Sequence, residues 1–237
     1  MVNSKKKIGI ILQARVGSTR LPSKVLKSMA GRPMIQWIIE RLQGCRKADT
    51  LILATTTLKQ DKPLIELAEK LNIDVFCGSE LDVLDRYYQC ALEYNLDHII
   101  RATGDNPFVD TEGCDKLIDF YINNQLDYAF FSDEYPLGVG TEIFSFSTLQ
   151  RTWLEGHAPH HREHVNEYII ENLSIFRNSS IAAPPEKSAH DLSLTVDTIE
   201  QFELADKIYN DFFEQHPSQL IPVEWAISYL SKGKSEY

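Results

Sequence analysis

The sequence predicts an α/β protein with a largely parallel central sheet. Short, β-branched apolar runs alternate with amphipathic helical patterns through the first half of the chain. This alternation is typical of strand–helix–strand units, whose strands are parallel. In chain order, the runs and the helical patterns are residues 8–12, 34–42, 51–54, 62–71, 74–77, 81–94 and 98–101. Polar, Gly- or Thr-rich residues follow each run, and ligands of parallel sheets bind at such strand ends.

The second half of the chain is less regular. We predict strands at 128–131, 141–145, around 175 and at 192–196, and helices at 111–124, 147–155, 162–172, from 199 to about 213 and from 223 to about 230. Asp197 and Thr198 are placed to cap the helix that follows them, and Pro33 falls where the first turn of a helix tolerates proline. Because 237 residues contain no repeat, low-complexity tract or linker, we expect a single domain spanning residues 1–237.

The composition and the apolar segment lengths disfavour a nucleic-acid-binding, membrane or secreted protein. A net charge of −10 disfavours sequence-independent binding of nucleic acid, which depends on neutralising phosphates. No apolar segment approaches the ~18 residues of a membrane span. The run after Lys5–Lys7 is too short for a signal peptide, and the four cysteines form neither a CxxC pair nor a zinc spacing. We therefore expect a cytoplasmic protein with reduced thiols and neither nucleic-acid nor membrane partners.

The first strand leads into a small, basic loop. Gly17 and Ser18 allow close backbone approach, and Arg15, Arg20 and Lys24 supply cations. Residues 1–39 hold eight Lys or Arg and no Asp or Glu, although the whole chain is acidic. An ordinary loop with solvated cations is the alternative, but this asymmetry favours a site for a polyphosphate. The loop does not fit GxxxxGK[ST], and the chain has no Rossmann glycine fingerprint.

Two carboxylates are candidate magnesium ligands. Asp105 and Asp197 each follow an apolar segment in a short polar turn, and carboxylates facing a polyphosphate commonly hold Mg²⁺. The alternatives are that Asp105 stabilises a turn before Pro107 and that Asp197 only caps a helix.

A group of histidines lies between residues 157 and 164. A zinc site is one interpretation, but HExxH is absent, and a polar loop with one functional histidine is favoured. Arg162 and His164 are better candidates for contact with an anionic substrate. No hydrolase triad pattern is visible.

Several motifs together resemble one family. LQARVGSTRLPSKVLKSMAGRPMI, RATGDNPFVD, GTEIFSF, HREHVNEYI and LTVDTIEQFEL occur in the same order as in the CMP-sugar synthetases. That family includes 3-deoxy-manno-octulosonate and acylneuraminate cytidylyltransferases, and the resemblance is strongest to the branch of spore-coat polysaccharide biosynthesis protein F. It covers nearly the whole chain. It implies a three-layer α/β/α, Rossmann-like nucleotide-diphospho-sugar transferase fold, a homodimer, and transfer of CMP from CTP to an acidic sugar with release of pyrophosphate.

The resemblance also implies roles for particular residues. Arg15, Lys24 and Asp105 would be catalytic, and Asp105 and Asp197 would hold Mg²⁺. The acceptor would face Glu142, Arg162 and His164. The nucleotide would contact Gln13, Ala14, Arg15, Ser18, Lys24, Thr55, Gly78, Ser79, Arg101, Thr103 and Gly104. The nucleotide half would span about 1–110, and the acceptor and dimerisation half about 111–237.

Two departures from the family pattern affect these expectations. Ser23 stands where the family often has Gly, next to a retained Lys24. Gly140 and Thr141 replace an Asp-Val pair in the acceptor half, so the acceptor is the more open question. The alternatives are a phosphonate or sugar phosphate as acceptor, or a nucleotide-binding protein without catalysis.

Overall fold

The central sheet of this computed structural model has seven strands in the order β5-β4-β1-β6-β8-β7-β9. The structure describes residues 5–18, 20–217 and 219–234. Along the chain, the sheet strands are β1 (Ile8–Gln13), β4 (Thr50–Thr56), β5 (Asp74–Gly78), β6 (His98–Thr103), β7 (Tyr128–Phe131), β8 (Glu142–Ser145) and β9 (Asn178–Ile181). All pairings are parallel except those of β8 with β6 and β7. The mostly parallel sheet is therefore confirmed.

Helices cover both faces of this sheet. They are α1 (Met34–Leu42), α2 (Lys62–Lys70), α3 (Val83–Glu93), α4 (Thr111–Asn123), α5 (Phe146–Glu155), α6 (Pro159–Glu163), α7 (Glu167–Glu171), α8 (Ile199–Gln215) and α9 (Val223–Lys234). Among the described residues, no helix is long and apolar enough to cross a membrane.

The apolar side chains of a strand point alternately to the two faces of the sheet, and each face contributes to its own hydrophobic core. Ile10 and Leu12 of β1 join the core made with α1, α2, α4, α8 and α9. Ile11 joins the opposite core, made with α3, α5 and α7. Because successive strand side chains point to opposite faces, one apolar run serves both layers. This arrangement is the three-layer α/β/α architecture that the sequence predicts.

The strand register brings the candidate residues to one edge. Gln13, the last residue of β1, lies opposite Ala54 of β4 and Thr103 of β6. Beyond it, the Gly104 amide donates to the Gln13 carbonyl at 2.8 Å. A Cβ on Gly104 would lie 2.9 Å from the Ala14 Cβ, so glycine permits this close approach of the two loops.

The predicted strand at 192–196 is wrong. This segment makes one isolated bridge, Leu137 with Ser193, and joins no strand of the described sheet. It packs instead along the turn that contains Gly138, whose φ is +92°. The alternating apolar residues Leu192, Leu194 and Val196 are buried beneath helices, which produces the strand-like pattern without strand pairing.

Three further predictions need correction. The helix expected at 162–172 is two short helices, α6 and α7, because His164 adopts an extended conformation between them. The strand expected around residue 175 begins at Asn178 and is preceded by a 3₁₀ turn. Pro33 lies in a small hairpin, β2 (Ser28–Met29) with β3 (Arg32–Pro33), directly before α1 rather than inside its first turn.

Candidate functional site

A cleft of ≈ 270 Å³ lies at the carboxyl ends of β1 and β6. Both loops that follow these strands contribute to it, as expected for a parallel sheet. The predicted residues on its wall are Gln13, Ala14, Arg15, Ser18, Lys24, Thr103, Gly104, Asp105, His164 and Asp197. Residues separated by up to 184 positions thus meet in one place. Thr19 of the basic loop lies outside the described residues.

Asp61 holds the basic loop against the sheet. Its carboxylate accepts a hydrogen bond from the Val16 amide at 2.7 Å and one from the Thr55 hydroxyl at 3.2 Å. Asp61 and Thr55 are both fully buried. Thr55, predicted to contact the nucleotide, therefore lies behind the cleft and anchors Asp61. A buried carboxylate satisfied in this way fixes the loop backbone.

Lys24 joins the two predicted metal ligands. Its Nζ donates to Asp197 Oδ1 at 2.9 Å and to the Val196 carbonyl at 2.6 Å, and it lies 3.8 Å from Asp105 Oδ2. Only 9% of Lys24 is exposed, so this ammonium is largely shielded from water. The Val196 amide also donates to the Asp105 carbonyl at 2.8 Å, which places the two acidic loops side by side.

The Asp197 carboxylate is available to the cleft because its neighbour caps the helix. Thr198 is the N-cap of α8, and its hydroxyl accepts from the Gln201 amide. The Gln201 side chain accepts from the Asp197 and Thr198 amides at 2.7 and 3.1 Å. Asp197 instead pairs with Lys24 and, at 3.4 Å, with Arg20. The alternative in which Asp197 serves only as a helix cap is therefore excluded.

The donor set of the two carboxylates fits magnesium. Asp105 and Asp197 are both partly exposed on adjacent loops, and carboxylate oxygens are ligands that Mg²⁺ prefers. Asp105 Oδ1 accepts from the Thr103 hydroxyl at 2.5 Å, and Asn106 donates to that hydroxyl at 3.0 Å. These bonds orient Asp105, as hydrogen bonds around metal-binding carboxylates commonly do.

A second cavity of ≈ 440 Å³ adjoins the cleft and shares Thr103 with it. Arg101 and Glu142 lie on its wall, with Nη1 of the arginine 3.5 Å from Oε2 of the glutamate. Burial is the largest influence and opposes the charge on Arg101, but Glu142 together with nearby Tyr87, Tyr128 and Asp105 outweighs it, so the pKa of Arg101 is raised. Asn166 donates to Glu142 Oε1 at 2.8 Å. Arg101, predicted among the nucleotide contacts, thus faces this second cavity.

Arg162 is engaged elsewhere. Its Nε and Nη2 donate to Asp82 at 2.8 and 2.6 Å, and Nη1 donates to the Trp153 carbonyl. The structure places it on neither cavity wall among the described residues. Its neighbours Glu163 and His164 line the cleft. This loop therefore reaches the site, but through residues other than Arg162.

Gly78, the last residue of β5, and Ser79, which follows it, are not on the described wall of the cleft, but both contact Arg86. The Ser79 carbonyl accepts from Arg86 Nη1 at 2.6 Å, and Ser79 Oγ accepts from the Asp82 amide at 3.0 Å. Arg86 lines the cleft and is a site residue that sequence reasoning missed. A signal for it existed, since helical spacing places Arg86 on the same face as Val83 and Cys90.

His160, His161 and Glu171 converge on the far side of α6. Nε2 of each histidine lies 2.7 Å from a different oxygen of Glu171. The Ala158 amide donates to His161 Nδ1, so the Nε2 of that ring carries the proton and donates to Glu171. Coordination of zinc through Nε2 needs the opposite tautomer, with Nδ1 as the donor, and coordination through Nδ1 would break its bond with the Ala158 amide. The geometry therefore favours a hydrogen-bonded cluster over a metal site.

The comparisons with known proteins agree with this fold. The model of the cytidylyltransferase family matches residues 9–224. The chain is 39% identical to the uncharacterized protein MJ1063 of Methanocaldococcus jannaschii, over 87% of this chain and 84% of that protein. It is 33% identical to spore coat polysaccharide biosynthesis protein SpsF of Bacillus subtilis, over 84% of this chain and 85% of that protein.

Two further matches extend the comparison. A cytidylyltransferase structure from Leptospira borgpetersenii superposes with a TM-score of 0.88 at 30% identity, covering 97% of this chain and 96% of that one. The 3-deoxy-manno-octulosonate cytidylyltransferase of Chlorobium chlorochromatii is 30% identical over 50% of this chain and 47% of its own length.

The family model and the related cytidylyltransferase structure identify a nucleotidyltransferase that uses CTP. This chain belongs to the cytidylyltransferase family.

Proposed function

We propose that this enzyme transfers CMP from CTP to an acidic sugar for a surface polysaccharide. SpsF carries spore coat polysaccharide biosynthesis in its name, and a second relative is named for 3-deoxy-manno-octulosonate. The observation that carries the proposal is the second cavity. There, Arg101 Nε and Glu142 Oε2 are buried without hydrogen-bond partners. A sugar acid offers a carboxylate to the first and hydroxyl groups to the second.

The two cavities divide the reactants. CTP occupies the cleft, with its triphosphate against Arg15, Ser18 and Lys24, and the acceptor occupies the second cavity. Since the cavities share Thr103, the acceptor hydroxyl lies near the α-phosphorus. Its oxygen forms a bond to that phosphorus and releases its proton to solvent as the bond to pyrophosphate breaks. The reaction then depends on positioning and on stabilising the charge of the leaving group.

Asp105 and Asp197 would hold Mg²⁺ in this proposal. The ion would supply positive charge to the phosphate oxygens. Among the side chains, Arg15 and Lys24 donate to the departing pyrophosphate. Arg15 has freedom to do so, because its contact to Glu80 is a long ion pair of 3.5 Å between partly exposed groups.

Pyrophosphate release tests the proposal. We would incubate the enzyme and Mg²⁺ with CTP, UTP, ATP or GTP and a panel of 2-keto-3-deoxy sugar acids of eight and nine carbons. Release with CTP and one acid, absent without that acid, is the expected result. Release only with a phosphonate or a sugar phosphate would replace the acceptor class. CTP binding without turnover on any acceptor would contradict the catalytic proposal and leave a nucleotide-binding protein.

A further inference from the structure

Arg86 is a buried cation on the wall of the nucleotide cleft. It is the fourth residue of α3, and only 2% of it is exposed. Its aliphatic stem packs on Gly78, where an added Cβ would lie 2.9 Å from the Arg86 Cγ. Glycine at position 78 therefore creates the space through which the guanidinium reaches the cleft.

The guanidinium is incompletely satisfied. Nη1 donates to the Ser79 carbonyl at 2.6 Å, but the buried Nε has no hydrogen-bond partner. Arg41 is equally buried, at 5% exposure, and both its Nε and its Nη1 donate to carbonyls, those of Val109 and Ile221. The Nε and Nη1 donors of Arg41 are thus both satisfied, whereas the Nε of Arg86, a residue of the cleft wall, has no hydrogen-bond partner.

Arg86 also lacks a paired carboxylate. Among residues 5–18, 20–217 and 219–234, no Asp or Glu oxygen lies within 4.0 Å of its guanidinium nitrogens. Burial lowers the pKa of Arg86, and the nearby charge of Arg15 lowers it further, although Tyr87, Asp61 and Asp82 oppose this. Burying an unpaired charge is costly, and such costs are usual at functional sites.

The missing partner is therefore an anion that enters from the cleft. Arg15, Arg20 and Lys24 line the same space, so the anion lies among four cations. Within a nucleoside triphosphate, only the phosphates carry negative charge. We infer that Arg86 is a further substrate-binding residue, whose guanidinium binds a phosphate oxygen of the nucleotide as its counter-ion. This inference rests on the proposed position of CTP in the cleft.

Arg86→Met tests it, because methionine keeps the apolar stem and removes the charge. We expect the ligand-free variant to have a thermal midpoint at or above that of the wild type, since an unpaired buried charge is gone. We expect its affinity for CTP and for inorganic pyrophosphate to fall about 10- to 100-fold, as for a lost charge-assisted hydrogen bond. Isothermal titration with each ligand and thermal melts measure both effects. Arg86→Lys should recover part of both affinities.

Arg41→Met is the matched control. It removes a buried arginine whose donors are satisfied outside the cleft, so the thermal midpoint should fall while CTP affinity stays unchanged.

A fall in stability of Arg86→Met with unchanged affinities would overturn the inference, because the role would then be structural. An equal loss of affinity for CTP and for cytidine, which has no phosphate, with unchanged pyrophosphate affinity would overturn it too, since Arg86 would then bind the base or the sugar. If the wild type binds neither ligand, the proposed function fails first, and this inference with it.

Discussion

Asp105 lies on the wall of the cleft, two residues after Thr103, which both cavities share. Its contacts show how the fold orients a single functional side chain. The Thr103 hydroxyl donates to one carboxylate oxygen, and Lys24 lies near the other. The carboxylate is nevertheless partly exposed, so part of its surface remains open to the cleft. A carboxylate that internal hydrogen bonds orient but do not fully satisfy is suited to bind a ligand.

We expect Asp105→Asn to lower kcat about 100-fold or more, the size of effect seen when one preorganised electrostatic group is lost. Because asparagine is isosteric and the position is partly exposed, the thermal midpoint should change little. Pyrophosphate release at saturating CTP and a melting curve measure the two quantities. Wild-type kcat in this variant would remove Asp105 from the reaction.

The elements show which parts of the structure a sequence can predict. Strands β1, β4, β5 and β6 each carry a continuous apolar run between turn residues, so their positions and the edge where their ends meet were predictable. The apolar side chains of residues 192–196 alternate as in a strand, but they are buried under helices. The sequence pattern alone does not show whether a sheet or a helix buries such side chains. The break between α6 and α7 depends on the extended backbone of His164, which has no propensity signal.

The candidate site was predictable to the same extent. The cations and carboxylates at strand ends were visible because their residue types and positions are both informative. Thr55 was misplaced because a threonine after a strand can point to either side of the loop. Arg162 was misplaced because its partner, Asp82, is 80 residues away. Contacts across such separations depend on tertiary structure and leave no local pattern.

The N-cap of helix α8 gives a testable prediction about stability. Thr198 and Gln201 form a reciprocal capping box, and neither lines the cleft among the described residues. We expect Thr198→Ala to lower the free energy of unfolding by about 1 kcal/mol, with kcat nearly unchanged. Urea denaturation checks the first expectation. If stability is unaltered but activity falls, the threonine acts on Asp197 and not on the helix.

At the scale of the whole molecule, folding lowers the pKa of several carboxyl groups. Burial alone would raise the pKa of Asp115, but bonds from the Cys45 thiol and the Arg46 and Lys47 amides outweigh burial and lower it. A carboxyl whose pKa is lower in the folded state stabilises that state above its unfolded pKa of 3.8. This contribution is lost as the pH falls through the folded pKa.

We therefore expect Asp115→Asn to destabilise the protein most at neutral pH and progressively less below about pH 4. Urea unfolding of the variant and the wild type from pH 7 to pH 3 gives the difference in the free energy of unfolding. A difference that is constant over this range would contradict the lowered pKa.

The homodimer remains a prediction from the family resemblance, and the cytoplasmic location remains a prediction from the composition. Light scattering after size-exclusion chromatography tests the first. We expect a mass twice that of the 27.1 kDa chain, and a mass equal to one chain would show a monomer at the concentration used.

The ion pair of Lys24 has a consequence for the order in which ligands assemble. In the ligand-free protein, a tethered ammonium already neutralises Asp197 and lies close to Asp105. A divalent cation that binds without nucleotide must compete with the Lys24 ammonium, which is covalently held beside the carboxylates. The phosphates of a nucleotide attract the Lys24 ammonium away from the carboxylates, which favours the cation. A cation at the carboxylates in turn frees the ammonium to bind the phosphates. If Asp105 and Asp197 hold Mg²⁺ as proposed, occupancy by metal and by nucleotide is coupled through Lys24, and we expect either ligand alone to bind more weakly than the two together.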